Sequence, residues 1–400
     1  MDALIIGGGI AGCLTAVGLA KVGIRSTVYE RRAPDEPLAI GAWLSVACNG
    51  LAAMRTLGVA DDVMRRGFPS QRIEICGDGG ALLGAVPLGG TLSDGTTTHT
   101  LKRTDLYRAV LRAAEAAGAT FVHGRSLETV EQRDDGVIAR FDDGSSARGA
   151  FLVGADGVGS RVRRALDPQA PEMRFGGLGN LGGFTPAAGL AVEPDTYRMT
   201  FGRRCFFGYV VSPSGEVWWF ANPPRKEPYS RERLERATDA DWKREIGELL
   251  EGEPPRLAEI VAGSGPIIAT NQYDLPRVRT WRSGRAVLVG DAAHAANPAS
   301  GQGVSLAAED AVALAMCLRD VRDPARAFAA FEAVRRPRAE RVVAHGARMS
   351  SAKAAGPIGR AIRDLMMPMF LRRQAKTAAS SLAWLFDHRL DWNETIGAAA

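Results

Sequence analysis

The start of the chain alternates between apolar and glycine-rich stretches in the order of a βαβ unit. Residues 3–6 form an apolar run that predicts a buried parallel strand. A helical pattern of apolar positions follows and ends at Gly23, and residues 25–29 predict a second strand. The unit spans about 30 residues, which is the length of a mononucleotide-binding βαβ unit.

The middle of the chain mixes helical and strand-like patterns. Residues 44–63 predict one amphipathic helix, and residues 103–118 predict a strong helix that ends at a glycine. Residues 71–100 are rich in glycine and threonine and predict short strands. Beyond residue 118 a strand and a meander are expected, with hairpin turns at Asp135-Gly136 and Asp143-Gly144.

The later part of the chain changes from strands to helices. Residues 172–225 predict antiparallel strands that turn at Pro213-Ser214-Gly215 and carry many of the aromatic residues. A charged helical stretch is expected over residues 231–260, and residues 305–400 predict helices.

Composition narrows the class of protein. The 400 residues are 46% hydrophobic and 24% charged, an ordinary balance for a soluble protein with a substantial core. The net charge of +5 comes largely from arginines scattered along the chain, which disfavours nucleic-acid binding. Five widely spaced cysteines without a CxxC pair argue against a zinc site or a disulfide framework and fit a reducing cytoplasm. No leader and no membrane span are expected.

The first glycine cluster has the spacing of a dinucleotide-binding turn. Gly7, Gly9 and Gly12 permit a tight strand-to-helix turn, a close approach of a pyrophosphate and close helix packing. Glu30 ends the second strand, where a carboxylate accepts hydrogen bonds from ribose hydroxyls and repels a 2′-phosphate. We therefore expect an adenine dinucleotide other than NADP here. The predicted contacts in this segment are Gly7, Gly9, Ala11, Gly12, Glu30 and Arg31.

A second cofactor segment is predicted at residues 288–311. Asp291 at a strand end can bind a sugar-like hydroxyl, and the helix that opens at Gly301-Gln302-Gly303 directs its positive end at an electron-rich group. With the phosphates held by the first cluster, this segment suits a ribityl chain and an isoalloxazine ring, which favours FAD over NAD. The predicted contacts are Gly290, Asp291, Pro298, Gly301, Gly303, Val304 and Ser305.

Three motifs in order resemble the class A FAD-dependent monooxygenases, the aromatic-ring hydroxylases similar to para-hydroxybenzoate hydroxylase and salicylate hydroxylase. They are GGGIAG with Glu30, GADGVGSRVRRAL at residues 154–166, and GDAAHAANPASGQG. A looser fourth is LKRTDL, which contains Arg103. The sequence departs from the family pattern at two places beside the expected flavin-ring pocket. The family often has asparagine where this chain has Ser305, and Pro-Asn where it has Cys48-Asn49.

The resemblance implies roles for individual residues. Asp291 is expected to hold the ribityl chain and Arg103 to contact FAD. Asp156 is expected to position FAD and to serve transient binding of NADPH or NADH, although a turn cap is an alternative role for it. The backbone at Val304 and Ser305 would lie near the flavin pyrimidine carbonyl. His294 is expected to pack or to hydrogen-bond near the flavin rather than to act as a base.

The resemblance also implies a fold and a set of domains. We expect an α/β protein with a Rossmann-like FAD-binding domain of the glutathione-reductase type, an interleaved antiparallel-sheet substrate domain and C-terminal helices. The FAD-binding domain would comprise residues 1–70, 101–170 and 276–320. The substrate sheet would comprise residues 71–100 and 171–275, and residues 321–400 would form the C-terminal helical region.

The implied activity is insertion of one oxygen atom from O2 into an aromatic or polycyclic/polyene small molecule through a C4a-hydroperoxyflavin, in secondary metabolism or aromatic catabolism. Hydroxylation, epoxidation and Baeyer–Villiger insertion stay open, as does the choice between a monomer and a homodimer. A flavin reductase or dehydrogenase, a halogenase and a non-catalytic FAD-binding sensor are the alternatives, and Trp218-Trp219 lacks the W-x-W-x-I-P spacing of a halogenase.

Aromatic residues alternate along the strands at residues 206–220, and we expect one face of these strands to line the substrate cavity and the other to pack in the core. The sequence does not tell which face is which. The candidates for the cavity lining are Phe207, Tyr209, Trp218 and Phe220. Near the C-terminus, residues 362–373 predict a helix over the substrate entrance, with a membrane-surface helix as the alternative.

Overall fold

The computed structural model describes residues 1–34, 41–186, 189, 194–351, 366–371 and 381–396. The strands are β1 Asp2–Ile6, β2 Arg25–Glu30, β3 Trp43–Val46, β4 Phe68–Pro69, β5 Arg72–Cys76, β6 Leu82–Pro87, β7 His99–Lys102, β8 Thr120–His123, β9 Leu127–Arg133, β10 Gly136–Phe141, β11 Ser146–Gly149, β12 Phe151–Gly154, β13 Arg174–Thr185, β14 Thr196–Phe201, β15 Phe206–Val211, β16 Val217–Asn222, β17 Ile268–Asp274, β18 Arg282–Ser283 and β19 Ala286–Leu288. The helices are α1 Ile10–Lys21, α2 Cys48–Thr56, α3 Ala60–Arg65, α4 Arg103–Ala116, α5 Arg161–Leu166, α6 Arg231–Arg236, α7 Asp239–Leu249, α8 Pro255–Ala262, α9 Asp291–His294, α10 Gly303–Asp320, α11 Pro324–Ser351 and α12 Ala383–Phe386.

The first sheet has six strands in the order β18-β19-β12-β1-β2-β8. Neighbouring strands from β19 to β8 run parallel, and β18 pairs antiparallel with β19. Strands β1 and β12 are buried along nearly their whole length, as parallel strands covered on both faces must be. Helix α10 packs against α1 on this sheet, so the two glycine-rich segments meet in one core although they lie far apart in sequence.

The second large sheet has seven strands in the order β17-β13-β16-β15-β14-β5-β6. All pairs in it are antiparallel except β14 with β5. One face packs under α7 and α8, where Trp219 and Trp242 lie in a shared apolar cluster. The parallel sheet and this mostly antiparallel sheet confirm the predicted α/β class.

Two element predictions were wrong in detail. Residues 44–63 form part of strand β3, then helix α2 and helix α3, rather than one helix. Strand β3 forms because it pairs with β7, a partner distant in sequence, and a glycine with φ of 77° separates the two helices at Gly58. The charged stretch at residues 231–260 is divided among α6, α7 and α8, because Ser230, Thr238 and the Pro254-Pro255 pair each start a new helix. Within the described ranges, no helix is both long and apolar enough to span a membrane.

Candidate active site

A cavity of about 1470 Å³ lies between the six-stranded sheet and the seven-stranded sheet. Its volume exceeds the roughly 300–1,000 Å³ that is typical of a site for one small molecule. The turn after β1, the end of β2 and the starts of α4 and α10 form one wall, and one face of the seven-stranded sheet forms the other. The cavity is therefore large enough for a dinucleotide and a second molecule together.

The three glycines of the first turn are needed for different reasons. Gly7 has a φ of 104°, and a Cβ built there would lie 2.5 Å from the Ala155 carbonyl oxygen. A Cβ on Gly12 would lie 1.9 Å from the Gly7 oxygen, so both positions exclude a side chain. A Cβ on Gly9 meets nothing within 4 Å and would project into open space. Gly7 and Gly12 thus build the turn, and Gly9 keeps its surface open to a ligand.

Glu30 is held at the floor of the cavity by two backbone N–H groups. Gly8 N–H donates to Oε2 at 2.8 Å and Arg32 N–H donates to Oε1 at 3.0 Å. The residue is only 7% exposed, yet it lines the cavity together with Arg31 and Ala11. These bonds fix the carboxylate where an adenosine ribose is expected.

Asp156 lines the cavity, and its carboxylate is also used by its own loop. The Ser160 hydroxyl donates to Oδ1 at 2.5 Å, and the N–H groups of Arg161 and Val162 donate to Oδ2 at 2.7 and 3.1 Å. Burial raises the pKa of the carboxyl, while these hydrogen bonds act in the opposite direction. The turn-capping role is therefore present in the structure.

Arg163 joins the loop of Asp156 to the second motif, a role that the sequence did not reveal. Its Nη1 donates to the Ala292 carbonyl at 3.0 Å, and its Nη2 donates to the Val158 carbonyl at 2.6 Å. The side chain is 1% exposed. The one indication in the sequence was that Arg163 is the last residue of the D-G-x-x-S-x-x-R motif.

Asp291 begins helix α9 and projects into the cavity opposite Arg103. Gly290 before it has a φ of 58°, and a Cβ there would lie 2.8 Å from the Ala11 Cβ, so the two motifs are in contact. The Asp291 side chain is open to the cavity but enclosed by its walls, and this enclosure raises the pKa, which His294 and Arg103 lower in part. The Arg103 Nε atom is buried without a hydrogen-bond partner among the described residues.

A buried group of charges, which we call the ionic network, lies behind the second motif. It comprises His294, Glu309, Asp310, Arg335 and Arg338. Asp310 Oδ2 accepts from Gly290 N–H at 2.9 Å and lies 2.6 Å from His294 Nε2. Arg335 Nε donates to Asp310 Oδ1 at 2.8 Å, and Arg338 donates to both Glu309 oxygens at 2.7 and 2.8 Å. His294 is buried, and the centre of its ring lies 5.2 Å from that of Trp281 with an angle of 40° between the ring planes.

The start of α10 is supported by side chains from α2. Asn49 Nδ2 donates to Gln302 Oε1 at 3.0 Å and to Glu309 Oε1 at 2.8 Å. Val304 and Gly303 line the cavity, as do Pro298 and Gly301 nearby. Ser305 does not, because it packs so closely on Gly50 that a Cβ there would lie 2.4 Å from the Ser305 hydroxyl.

These residues fit FAD. The open surface at Gly9, the fixed Glu30, the unpartnered Arg103 Nε and the cavity-facing Asp291 provide donors and acceptors along one wall. Gly303 lies next to Asp291, with a built Cβ 4.0 Å from Oδ1, so ribityl and ring contacts could be made together. Bound there, FAD would carry electrons from a nicotinamide donor to oxygen.

The aromatic strands required a correction. Phe220 lines the cavity, whereas Phe207 and Tyr209 lie on the opposite face and pack with Trp219 under α7 and α8. Trp218 is on the same face as Phe220, but it is packed between Phe68 and Phe184 and does not line the cavity. Phe207 and Tyr209 were misplaced because alternation separates two faces without telling which one packs on helices.

Several lining residues of the sheet were missed. Strands β5 and β14 alternate between polar and apolar residues, which gave a periodicity signal without a direction, and β13, β16 and β17 do not alternate and gave no such signal. They are Ile73, Ile75, Asn180, Tyr197, Met199, Phe201, Asn222 and Gln272.

The C-terminal segment also reaches the cavity. Of the predicted helix at residues 362–373, residues 366–371 are helical, and the others lie outside the described residues. Met367, Phe370 and Leu371 line the cavity. Leu371 packs on β6, where a Cβ built on Gly84 would lie 3.0 Å from its Cδ1. The described part of this segment therefore covers the β6 side of the cavity.

Comparison with known proteins agrees with this site. Residues 1–345 match the family described as FAD binding domain. The chain is 34% identical to aurachin C monooxygenase/isomerase of Stigmatella aurantiaca over 351 residues, 86% of this chain and 87% of that protein. It is 30% identical to 3-amino-4-hydroxybenzoate 2-monooxygenase of Streptomyces cremeus over 349 residues, 84% of each.

A solved structure gives the same result. HpxO of Klebsiella pneumoniae, complexed with FAD and uric acid, superposes with a TM-score of 0.82 at 25% identity, covering 94% of this chain and 96% of that one. The predicted cofactor and the predicted reaction class are thereby confirmed, and they prevail over the reductase, halogenase and sensor alternatives. The chain belongs to the FAD binding domain family and is a class A FAD-dependent monooxygenase that takes its electrons from NADH or NADPH.

Proposed function

We propose that this monooxygenase inserts one oxygen atom into a neutral, largely apolar aromatic or polycyclic small molecule. For hydroxylation the balance is substrate–H, O2, NAD(P)H and a proton giving substrate–OH, water and NAD(P)+. The five cysteines, all unpaired and buried, support function in a reducing compartment such as the cytoplasm.

The observation that carries this proposal is the charge distribution around the cavity. Among the described lining residues, those contributed by strands of the seven-stranded sheet include no Asp, Glu, Lys, Arg or His. The charged and titratable lining residues lie elsewhere, and they include Glu30, Arg103 and Asp291 on the opposite wall and His345 and Arg348 on helix α11. Because burying an unpaired charge is costly, a substrate lying against the sheet should be neutral. Phe206, Phe220 and Met199 offer it aromatic and thioether surface.

We also propose roles on the cofactor wall. Gly9 and the start of α1 would receive the pyrophosphate, and Glu30 the adenosine ribose. Asp291 would accept hydrogen bonds from the ribityl chain, and Arg103 would donate to the cofactor through its unpartnered Nε. The positive end of α10 at Gly303 and Val304 would stabilise negative charge on the reduced ring. Asp156 would act chiefly by holding its loop in place, with the nicotinamide donor passing beside it.

The substrate wall would act by exclusion and orientation. Apolar side chains from the sheet and from residues 366–371 would keep water away from the reacting atoms, which limits wasteful release of hydrogen peroxide. They would also hold the aromatic edge towards the cofactor wall. The substrate position held towards the cofactor wall then decides the outcome, which is hydroxylation at an aromatic C–H and epoxidation at an alkene C=C.

The test uses the FAD-loaded enzyme with NADH or NADPH and labelled 18O2. Neutral bicyclic aromatics such as a naphthol should accelerate donor oxidation and yield a product with one 18O atom. The matching hydroxynaphthoate should do neither. Faster turnover and labelling of the hydroxynaphthoate would overturn the proposal.

A charge-insertion variant sharpens the test. Met199→Lys puts a cation on the cavity-facing side of β14 and should shift the preference towards the hydroxynaphthoate. Met173→Lys is the matched control, because Met173 is 43% exposed and lies outside the cavity lining. FAD content should be equal in both variants.

A further inference from the structure

One edge of the substrate wall carries a strip of neutral amide side chains, which we call the amide strip: Asn180 on β13, Asn222 on β16 and Gln272 on β17. Asn222 Nδ2 donates to Asn180 Oδ1 at 3.1 Å, and Asn180 Nδ2 donates to Thr270 Oγ1 at 3.4 Å. These two amides therefore fix each other in place on the sheet.

Gln272 differs from the other two members of the strip. It is 6% exposed and lines the cavity, yet its side chain makes no hydrogen bond to any described residue. Its neighbour Asn271 points to the other face and is fully used, since it donates to the Tyr229 carbonyl at 2.9 Å and accepts from the Tyr229 N–H at 2.8 Å. Because this side chain lines the cavity and its amide is not engaged by the protein, Gln272 is a group that a ligand can satisfy.

The rest of the substrate wall is apolar apart from Tyr197, whose hydroxyl is hydrogen-bonded to Thr100. Phe220 and Phe206 follow the amide strip across the sheet, then Met199 and Ile75. Gly208 makes room for this surface, because a Cβ there would lie 2.5 Å from the Phe220 ring and 2.6 Å from the Met199 sulfur. The wall thus runs from a hydrogen-bonding end at β17 to an apolar end at β6, where Leu371 lies over it.

We propose that Gln272 determines substrate specificity by binding an adjacent N–H and C=O pair, as in a lactam ring, while the apolar body of the substrate lies on Phe220, Met199 and Ile75. This inference rests on the proposed function. A primary amide offers donors and an acceptor side by side, and a cis-lactam presents the complementary pair. The substrate class is therefore a neutral aromatic lactam with an apolar extension directed to β6.

Binding to the oxidised FAD-loaded enzyme provides the test, followed by the change in the flavin absorption spectrum. The probes are a hexyl-substituted 2-quinolone, its N-methyl derivative and hexylnaphthalene. The quinolone should bind the parent enzyme about tenfold to a hundredfold more tightly than the N-methyl compound, because that compound leaves the Gln272 oxygen unsatisfied.

The variants are Gln272→Leu and, as a matched control, Gln169→Leu at an exposed position outside the cavity lining. Gln272→Leu should lose that tenfold to hundredfold preference and bind hexylnaphthalene at least as tightly as the parent. FAD content should not change, which separates a specificity role from a structural one. The control should keep the preference.

Equal weakening of all three probes in Gln272→Leu, or no preference in the parent enzyme, would overturn the inference. The 18O2 experiment tells the two proposals apart. Labelled product with no dependence on Gln272 removes this inference and keeps the proposed function. Discrimination by Gln272 without labelled product from any neutral probe keeps Gln272 as a binding residue and removes the proposed function.

Discussion

Removing the buried cation of the ionic network is the most informative stability test that the structure offers. Arg335 is 0% exposed and serves two carboxylates, with Nε 2.8 Å from Asp310 Oδ1 and Nη1 2.8 Å from Glu309 Oε2. Arg335→Leu fills similar space without charge. It leaves Asp310 with His294 and the Gly290 N–H, and Glu309 with Arg338 as its remaining cation.

The magnitude follows from the carboxylates. Burial alone would raise the pKa of Glu309, but Arg335 and Arg338 more than offset it and lower the pKa from 4.5 to about 2. Converted by linkage, that difference is about 3 kcal/mol of stability at neutral pH, to which Arg335 and Arg338 both contribute. Breaking a buried ion pair from one side costs about 3–5 kcal/mol, in agreement. We expect Arg335→Leu to lower the free energy of unfolding by about 3–5 kcal/mol at pH 7.

The pH dependence follows from the direction of the shift. A carboxylate whose pKa is lowered in the folded state adds stability above its ordinary value of 4.5, and that stability is lost as the pH falls towards about 2. The pKa of Asp310 is lowered as well, because His294 and Arg335 outweigh burial. The parent should therefore lose more stability on acidification than Arg335→Leu, and the gap between them should narrow below about pH 4.5.

The assay is urea unfolding followed by tryptophan fluorescence, with FAD in fixed excess, at steps from pH 7 to pH 3. The control is Arg326→Leu, an exposed arginine on the same helix, which should change stability by less than about 0.5 kcal/mol. A loss in Arg335→Leu no greater than in the control, or a gap that stays constant across the pH range, would refute the reasoning.

Three further predictions concern the cavity. Gly9→Ala should leave folding of the FAD-free protein unchanged, because the added Cβ meets open space and the φ of Gly9 is −74°, but it should weaken FAD binding by about tenfold or more. Gly12→Ala should instead destabilise the fold itself. Urea unfolding and FAD titration of both variants check this prediction. Arg103→Leu should weaken FAD binding by about 1.5–3 kcal/mol. The control is Arg108→Leu, at an exposed position on the same helix. Equal FAD affinity in the two variants would count against a cofactor contact by Arg103. Phe207→Ala should cost about 3–5 kcal/mol of stability, because Phe207 packs in the core, and Phe220→Ala should mainly raise the KM for substrate, because Phe220 lines the cavity. The reverse pattern would contradict this assignment of the two residues to opposite faces of the sheet.

The sequence predicted the local units well because their causes are local. The βαβ unit with Gly7, Gly12 and Glu30 needs only neighbouring residues, and these form the predicted turn. Helix prediction failed at residues 44–46 because strand β3 exists through its pairing with β7, which no local pattern encodes. Likewise, the alternation of side chains along β15 and β16 showed that Phe207 and Phe220 lie on opposite faces of the sheet. Only the packing of α7 and α8 on one face tells which face is covered by helices.

The position of Asp291 depends on residues outside the cavity. Asp310 binds the Gly290 N–H on one side of it, and Arg163 binds the Ala292 carbonyl on the other. Each of these side chains is almost completely buried, so the backbone around Asp291 is held from two different elements. A carboxylate fixed in this way needs little reorganisation to bind a hydroxyl-bearing chain, which favours affinity. The ionic network and the loop of Asp156 therefore act on the cofactor through one short helix, and damage to either should reach FAD binding first and the substrate wall, on a separate sheet, second.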